Sequence, residues 1–294
     1  MRKLLPEICC CRSLRVLFAA AVLLCANLLQ AAPRVTTSIK PLELLAAPVT
    51  AGVSVPQLLL QQDQDPHNLA LRPSERHALE NADLVLWVGQ MLELPLAKAL
   101  TGRTGAVLTV QELDGLRLLS TDAGPDPHVW LDTRNARLVT QSLALALGEL
   151  DPEHAARYQG NADAFATELD MLDQELQTLF TGLEQREWAV YHHALGYFQQ
   201  QFGLREPQAL TDSENTAPGV RSVLALRERL AADATICLLI EPGVNEGQLR
   251  NLLAPLELRL VSVDLLGHAS GPPEQAYIHM LRALGQRLSA CLRG

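Results

Sequence analysis

Residues 151–182 read DPEHAARYQGNADAFATELDMLDQELQTLFTG, and this stretch decides the fold. Asp151 followed by Pro152 is typical of a helix start, and no further proline occurs before Gly182. Apolar residues recur every three to four positions, as they do on the buried face of an amphipathic helix. A helix of about 30 residues extends roughly 45 Å, enough to cross a small domain. The stretch therefore predicts one long, rigid helix.

Short apolar runs alternate with helical stretches on both sides of this segment. Arg34–Ile39 and Ala82–Val88 before it, and Ile236–Ile240 and Leu258–Val263 after it, are typical of buried strands. Such alternation indicates βαβ units with parallel sheets. We predict an α/β fold with two lobes, each a mostly parallel sheet flanked by helices, joined by the long helix. The expected boundaries are residues 33–150 for the N-terminal lobe, 151–184 for the linking backbone helix and 185–294 for the C-terminal lobe.

The N-terminus has the pattern of a secretory signal peptide. Four cationic residues accompany an apolar run from Val16 to Leu29, and the small residues Ala31 and Ala32 follow that run. The run is too short and wrongly flanked for a transmembrane helix. We expect residues 1–32 to be a signal peptide and the mature protein to lie in the periplasm.

Cysteine usage agrees with an oxidising compartment. Removal of residues 1–32 leaves Cys237 and Cys291 as the only cysteines. Two cysteines in such a compartment favour one disulfide over a Cys-rich metal site, with two buried free thiols as the alternative.

Four histidines and one carboxylate lie near the ends of predicted strands, where open α/β sheets place their ligand sites. They are His67, His128, the adjacent pair His192 and His193, and Asp264. Zn²⁺ prefers a tetrahedral shell of imidazole, thiolate and carboxylate donors. Three histidines and one aspartate from four separate loops would complete that shell. A shell without an open water position favours a carrier over a hydrolytic enzyme.

Two other classes of protein fit the sequence poorly. The 294-residue chain has a formal net charge of −9 and only 4% aromatic residues, which argues against a nucleic-acid partner. A metal-dependent hydrolase would need an open coordination position and a general base, and neither HExxH nor a comparable motif occurs. We therefore expect no enzymatic activity.

Seven segments spread over nearly the whole mature chain occur in the order of a known family. They are TTSIKP (36–41), DPH (65–67) with LRPS (71–74), NADLV (81–85) with Gly89 and Glu93, PHVWL (127–131), HHALGYF (192–198), IEP (240–242) and VDLLG (263–267). Together they resemble the periplasmic zinc and manganese solute-binding proteins of ABC importers.

The resemblance implies a metal held between the lobes by His67, His128, His192 and Asp264. In the family the third ligand precedes an acidic residue, and His193 stands at that position here. His192 and His193 therefore both stay open as the third ligand. Manganese members usually carry Glu as this ligand, so histidine favours zinc. A manganese receptor or a metal-dependent adhesin of the same fold is the alternative.

The resemblance also implies partners and a cargo. The protein would bind Zn²⁺ and deliver it to the permease of an ABC importer in the inner membrane, as a monomer, with a periplasmic metallochaperone as a further partner. It also supports a disulfide between Cys237 and Cys291. Two departures are visible: the stretch from Gly115 to Asp126 lacks the His-rich loop of many zinc members, and Leu265 replaces the usual proline.

Overall fold

The structure is a computed structural model, and it describes residues 31–61, 64, 70–121, 124–211, 218–230, 236–269 and 271–294. Pro33–Gly294 form one unit by their contacts. Almost all of the expected signal peptide, and the predicted ligand His67, lie outside the described residues. Among the helices described, none combines the length and apolarity that crossing a bilayer requires.

The first sheet is parallel, and one of its two inner strands is entirely apolar. Its strands are β1 (Val35–Thr37), β2 (Gln57–Leu58), β3 (Leu84–Trp87) and β4 (Ala106–Thr109), and its helices are α1 (Lys40–Thr50), α2 (Pro73–Asn81) and α3 (Gln90–Leu100). The strand order is β2-β1-β3-β4. All four residues of β3 are buried, as expected of a strand covered on both faces. The edge strand β2 contributes only two residues to the sheet.

A short ladder and two helices follow the first sheet. They are β5 (Ser120–Thr121), β6 (Gly124–Pro125), α4 (Thr133–Leu150) and α5 (Ala155–Phe180). With 26 residues, α5 extends roughly 39 Å. It packs against α4 and α1, and its buried face is apolar throughout.

The predicted helix start at Asp151 is wrong. Asp151 ends α4, and its carboxylate accepts a hydrogen bond of 2.9 Å from the Tyr158 hydroxyl. The same carboxylate lies 2.8 Å from His154 Nδ1. A turn of three residues, 152–154, separates α4 from α5, and α5 begins at Ala155.

The second sheet repeats the topology of the first. Its elements are β7 (Trp188–His192), α6 (Gly196–Gln201), β8 (Gln208–Thr211), α7 (Val220–Leu230), β9 (Ile236–Ile240), α8 (Glu246–Leu253), β10 (Leu258–Ser262) and α9 (Ala276–Arg293). The strands are parallel in the order β10-β9-β7-β8. The predicted fold class, two parallel sheets flanked by helices with a long helix between them in the chain, is confirmed.

Each sheet has one crevice where the strand order reverses. The first lies between β1 and β3 and the second between β7 and β9. Ligands of open α/β sheets bind at the carboxyl ends of strands in such crevices. In the second sheet, Cys237 of β9 and Cys291 of α9 form a disulfide with their Cα atoms 5.5 Å apart. This bond joins the C-terminal helix to a strand beside the crevice.

Candidate metal centre

Two imidazoles meet at the carboxyl end of the second sheet. His192 is the last residue of β7 and is only 5% exposed. His128 precedes a buried 3-10 turn, Val129–Leu131, which leads towards α4. The Nε2 atoms of the two rings are 3.4 Å apart. The structure therefore brings together two of the predicted ligands from segments 64 residues apart in the chain.

This separation suits a shared metal ion. Two nitrogens bound to one tetrahedral zinc at about 2.0 to 2.1 Å lie roughly 3.3 to 3.4 Å from each other. The observed 3.4 Å between the His128 and His192 Nε2 atoms matches that spacing. Both rings can therefore bind one zinc ion with little movement.

Asp126 orients the His128 ring. Its Oδ1 lies 2.7 Å from His128 Nδ1 and accepts the His128 backbone N–H at 3.0 Å. The Tyr197 hydroxyl donates to the Asp126 carbonyl at 2.8 Å and fixes the backbone here. A carboxylate that holds the Nδ1 proton leaves the Nε2 lone pair available to a metal and makes it more basic. Asp126 was not predicted as a site residue.

Glu241 occupies the corresponding position beside His192. It follows β9 directly, and its Oε1 lies 2.7 Å from His192 Nδ1, across the crevice between β7 and β9. The two atoms are at ion-pair distance without the angular geometry of a hydrogen bond, and Glu241 Oε2 is buried with no hydrogen-bond partner among the described residues. Sequence reasoning missed this role too, although Glu241 stands in the IEP segment of the resemblance.

Asp264 follows β10, but its carboxylate serves its own loop. Its Oδ1 accepts backbone N–H groups of Leu266 and Gly267 at 3.1 and 2.8 Å, and Oδ2 accepts that of Ala269 at 3.0 Å. Among the described residues, which leave out His67, no three His, Cys, Asp or Glu side chains form a group that could hold a metal. The roles of Asp264 and His67 as ligands stay predictions.

The Asp264 loop is nevertheless tied to the His128 segment. The Trp130 indole N–H donates to the Leu265 carbonyl at 3.0 Å. The Tyr277 hydroxyl of α9 donates to the Trp130 carbonyl at 2.6 Å. These two bonds fix the distance between the segments that carry His128 and Asp264.

Comparison with known proteins places this geometry in a family. Residues 35–291 match the family model described as ZnuA, zinc-uptake complex component A, periplasmic. The chain belongs to this family. As the periplasmic component of a zinc-uptake complex, the protein is a solute-binding receptor of an ABC importer and not an enzyme.

Individual relatives agree with the family assignment. The high-affinity zinc uptake system protein of Paracoccus denitrificans is 29% identical, over 88% of this chain and 92% of the relative. The periplasmic zinc-binding protein TroA of Treponema pallidum has a TM-score of 0.78 and 22% identity, over 88% of this chain and 99% of that structure. The laminin-binding protein of Streptococcus agalactiae, described as an adhesin with metal-transporting activity, has a TM-score of 0.79 and 22% identity, with the same coverage. The two structures support the fold.

His193, the alternative third ligand, lines a cavity that Asp126 also lines. This cavity has a volume of about 230 Å³. The His193 backbone N–H donates to the Thr211 carbonyl at 3.2 Å, which holds the residue at the end of the sheet. His192, and not His193, is the histidine whose Nε2 lies 3.4 Å from His128 Nε2 in this zinc-uptake component.

The crevice of the first sheet contains a buried carboxyl group. Glu93 is fully buried; it accepts hydrogen bonds from the Ser38 hydroxyl and, at 3.0 Å, from the Gly89 backbone N–H. Burial raises the pKa of Glu93 to about 7, and the hydrogen bonds from Ser38 and Gly89 oppose that rise. In this family member, the first crevice is thus filled by a carboxyl group and a hydroxyl.

Proposed function

We propose that the protein binds Zn²⁺ in the periplasm at His128 and His192 and delivers it to the permease of the importer. The observation that carries the proposal is the pair of Nε2 atoms 3.4 Å apart, each on a ring whose Nδ1 lies 2.7 Å from a carboxylate. Imidazole donors suit zinc, whereas an oxygen-rich shell suits manganese. The site therefore favours zinc as cargo.

We also propose that His67 and Asp264 complete the zinc shell. Asp264 follows β10 and lies in the loop that Trp130 ties to the His128 segment. Its Oδ1 accepts two backbone N–H groups, whereas Oδ2 accepts only one and keeps a second lone pair. A modest shift of the loop would direct that lone pair to the metal. His67 would supply the remaining imidazole from the N-terminal lobe.

The proposal includes the processing and organisation of the chain. Residues 1–32 would be the secretory signal peptide, and the mature chain would act as a monomer that receives zinc directly or from a periplasmic metallochaperone. The lobes would be residues 33–150 and 185–294, joined by the backbone segment 151–184. A long helix between lobes resists wide hinge closure, so zinc capture would involve loop movement more than lobe rotation.

The test is metal competition on the purified mature protein. Zinc-free protein is titrated with Zn²⁺ in the presence and absence of Mn²⁺, and the His192→Ala variant is titrated alongside. We expect one tightly bound Zn²⁺ that Mn²⁺ does not displace. Four-ligand zinc sites in zinc fingers contribute about 10 to 16 kcal/mol, so losing one ligand should weaken binding roughly 100- to 1,000-fold.

His154→Ala is the matched control. His154 also has its Nδ1 2.8 Å from a carboxylate, that of Asp151, but it lies between α4 and α5. This variant should bind Zn²⁺ as the unchanged protein does. Preference for Mn²⁺ would overturn the cargo, and an unaffected His192→Ala variant would overturn the centre.

A further inference from the structure

The helix α6 follows His192 closely and is packed firmly into the protein. Only residues 193–195 separate it from β7. Its Phe198 is fully buried and packs against Phe202 and against Phe180 of α5, with ring centroids 4.8 and 5.8 Å apart. Because close-packed aromatic rings leave little room for movement, α6 is held in one position relative to α5 and to His192.

One side chain of α6 binds the chain just before His128. The Tyr197 hydroxyl donates to the Asp126 carbonyl at 2.8 Å and accepts the Leu119 backbone N–H at 3.0 Å. The Asp126 backbone N–H donates to the Leu119 carbonyl at 2.8 Å, so the hydroxyl closes the base of the β5–β6 hairpin. Tyr197 is fully buried, and burial raises its pKa to about 12. The hydroxyl therefore keeps its proton for the Asp126 carbonyl.

A second side chain of α6 binds the chain just after His128. Gln201, one helical turn beyond Tyr197, accepts the Thr133 backbone N–H at 3.0 Å. Its amide nitrogen donates to Asp173 of α5 at 2.9 Å and to the Thr133 hydroxyl. That hydroxyl donates to the Asp173 carboxylate at 2.8 Å. Because Thr133 is only 1% exposed, these bonds fix the start of α4 at a buried position.

The two contacts lie on either side of His128, at residues 126 and 133. Fixing the backbone of Asp126 also fixes its carboxylate, whose Oδ1 lies 2.7 Å from His128 Nδ1 and orients the ring. Helix α6 thus controls the separation of 3.4 Å between the Nε2 atoms of His128 and His192.

We propose that Tyr197 and Gln201 are positioning residues of the zinc centre, which hold His128 at the spacing that a shared zinc ion requires. Neither residue binds the ion; Tyr197 acts through Asp126, and Gln201 acts through Thr133. Ligands that are already in place bind more tightly, because less ordering remains to be done when the ion arrives. This inference rests on the proposed function, in which His128 and the histidine of β7 bind the cargo.

Titration of the zinc-free mature protein with Zn²⁺, against a competing chelator, measures the effect. Loss of a group that orients a metal ligand typically weakens binding 10- to 100-fold, and Tyr197 acts one step further away, so Tyr197→Phe should weaken Zn²⁺ binding about 3- to 10-fold. Gln201→Leu keeps the size of the side chain but removes its hydrogen bonds, and it should weaken Zn²⁺ binding roughly 2- to 5-fold for the same reason.

Tyr158→Phe and Gln199→Leu are the matched controls. Tyr158 is also a fully buried tyrosine, but its hydroxyl donates to Asp151 between α4 and α5. Gln199 lies on α6 and donates to the Leu204 carbonyl in the loop that follows the helix. Both controls should have lower melting temperatures and unchanged zinc affinity. If they lose as much zinc affinity as Tyr197→Phe does, general destabilisation explains the loss and the proposal fails.

A double-mutant cycle tests whether Tyr197 acts through Asp126. Asp126→Ala removes the carboxylate that orients His128, so adding Tyr197→Phe to this variant should weaken Zn²⁺ binding by less than about twofold. Equal losses with and without the Asp126 side chain would show that Tyr197 does not act through it. Thermal melts confirm that each variant folds, and Asp126→Asn replaces Asp126→Ala if the latter does not.

Two further results bear on different claims. Unchanged zinc affinity in both Tyr197→Phe and Gln201→Leu would overturn the positioning role and leave the proposed function intact. Absence of tightly bound zinc from the unchanged protein would refute the proposed function itself, whatever the variants do.

Discussion

The carboxyl ends of the two sheets have the same topology and different chemistry. In each sheet the crevice lies between the first and third strands in chain order. In the first sheet Glu93 faces the hydroxyl of Ser38 and a backbone N–H. In the second, Glu241 faces the Nδ1 atom of His192. Both crevices therefore contain a glutamate next to a residue that follows or ends a strand.

The partner of each glutamate decides what the crevice can do. Glu93 faces a hydroxyl and a backbone N–H, and neither group has a second nitrogen that could bind a metal. An imidazole has two nitrogens, so Glu241 can hold one while the other faces His128 and is left for the proposed metal. The fold supplies equivalent places, and the residue opposite the carboxylate determines which of them binds a ligand.

Glu93→Gln should have the largest effect, and the quantity that it changes is the pH dependence of the free energy of unfolding. Because burial raises the pKa of Glu93 from 4.5 to about 7, the folded state holds this proton more tightly than the unfolded chain does. The resulting stabilisation is complete below pH 4.5 and is lost as the pH rises to about 7, by roughly 3 kcal/mol in total. Glutamine carries no such proton, so the variant should lack this decline.

Urea unfolding of the zinc-free proteins between pH 4.5 and 8 measures the effect. As the pH rises across this range, the unchanged protein should lose stability that Glu93→Gln does not lose. The free energy of unfolding of the variant minus that of the unchanged protein should therefore increase with pH. Its zinc affinity should stay within about twofold. Parallel pH profiles for the two proteins would show that Glu93 does not titrate as its burial requires.

The next effect concerns the second crevice, where removing the glutamate charge should change zinc affinity. Glu241→Gln removes the charge that supports His192, and loss of such a partner typically weakens metal binding 10- to 100-fold, or about 1.4 to 2.8 kcal/mol. Zinc titration should show this loss. Glu246→Gln, at an exposed position at the start of α8, should leave zinc binding unchanged. Equal affinities for both variants would contradict the role of Glu241.

The smallest effect is expected from Ser38→Ala, which tests whether the Ser38 hydroxyl controls the pKa of Glu93. Ser38→Ala removes a hydrogen bond that lowers the pKa of Glu93, so the loss of stability should level off at a higher pH. The variant should also lose about 1 kcal/mol of unfolding free energy. Ser289→Ala, which removes another buried hydroxyl, should lower stability without moving that pH. An unmoved profile in Ser38→Ala would separate Ser38 from Glu93.

The sequence predicts strands and helices with a clear apolar pattern better than short strands of mixed sequence. The strand Ile236–Ile240 occurs at the predicted bounds, because a continuous run of buried apolar residues marks it clearly. Strands β4 and β8 escape prediction because they are short and contain polar residues, whereas β10, also an edge strand, is predicted from the run Leu258–Val263. The start of α5 is predicted too early because the Asp151 carboxylate contacts His154 and Tyr158 instead of beginning a helix.

The candidate site divides in a similar way. The sequence singled out His128 and the adjacent pair His192 and His193 by their joint placement near strand ends and by the family resemblance, and it left open which of the pair is the ligand. The roles of Asp126 and Glu241 could not be predicted, since an aspartate before a proline and a glutamate before a proline are ordinary turn residues. Only the tertiary approach of a carboxylate to a particular ring nitrogen, as between Glu241 and His192, gives such a residue its function.

Trp130 lies where its fluorescence can report on the His128 ring. Its ring packs edge-on against that of His128, with centroids 5.3 Å apart and planes at 61°. The other two tryptophans, Trp87 and Trp188, donate to Thr109 and Arg205 away from the imidazole pair. Charge gained by the His128 ring, whether a proton or a metal ion, should therefore change the emission of one indole. Loading of the receptor can be followed by its intrinsic fluorescence, without any attached dye.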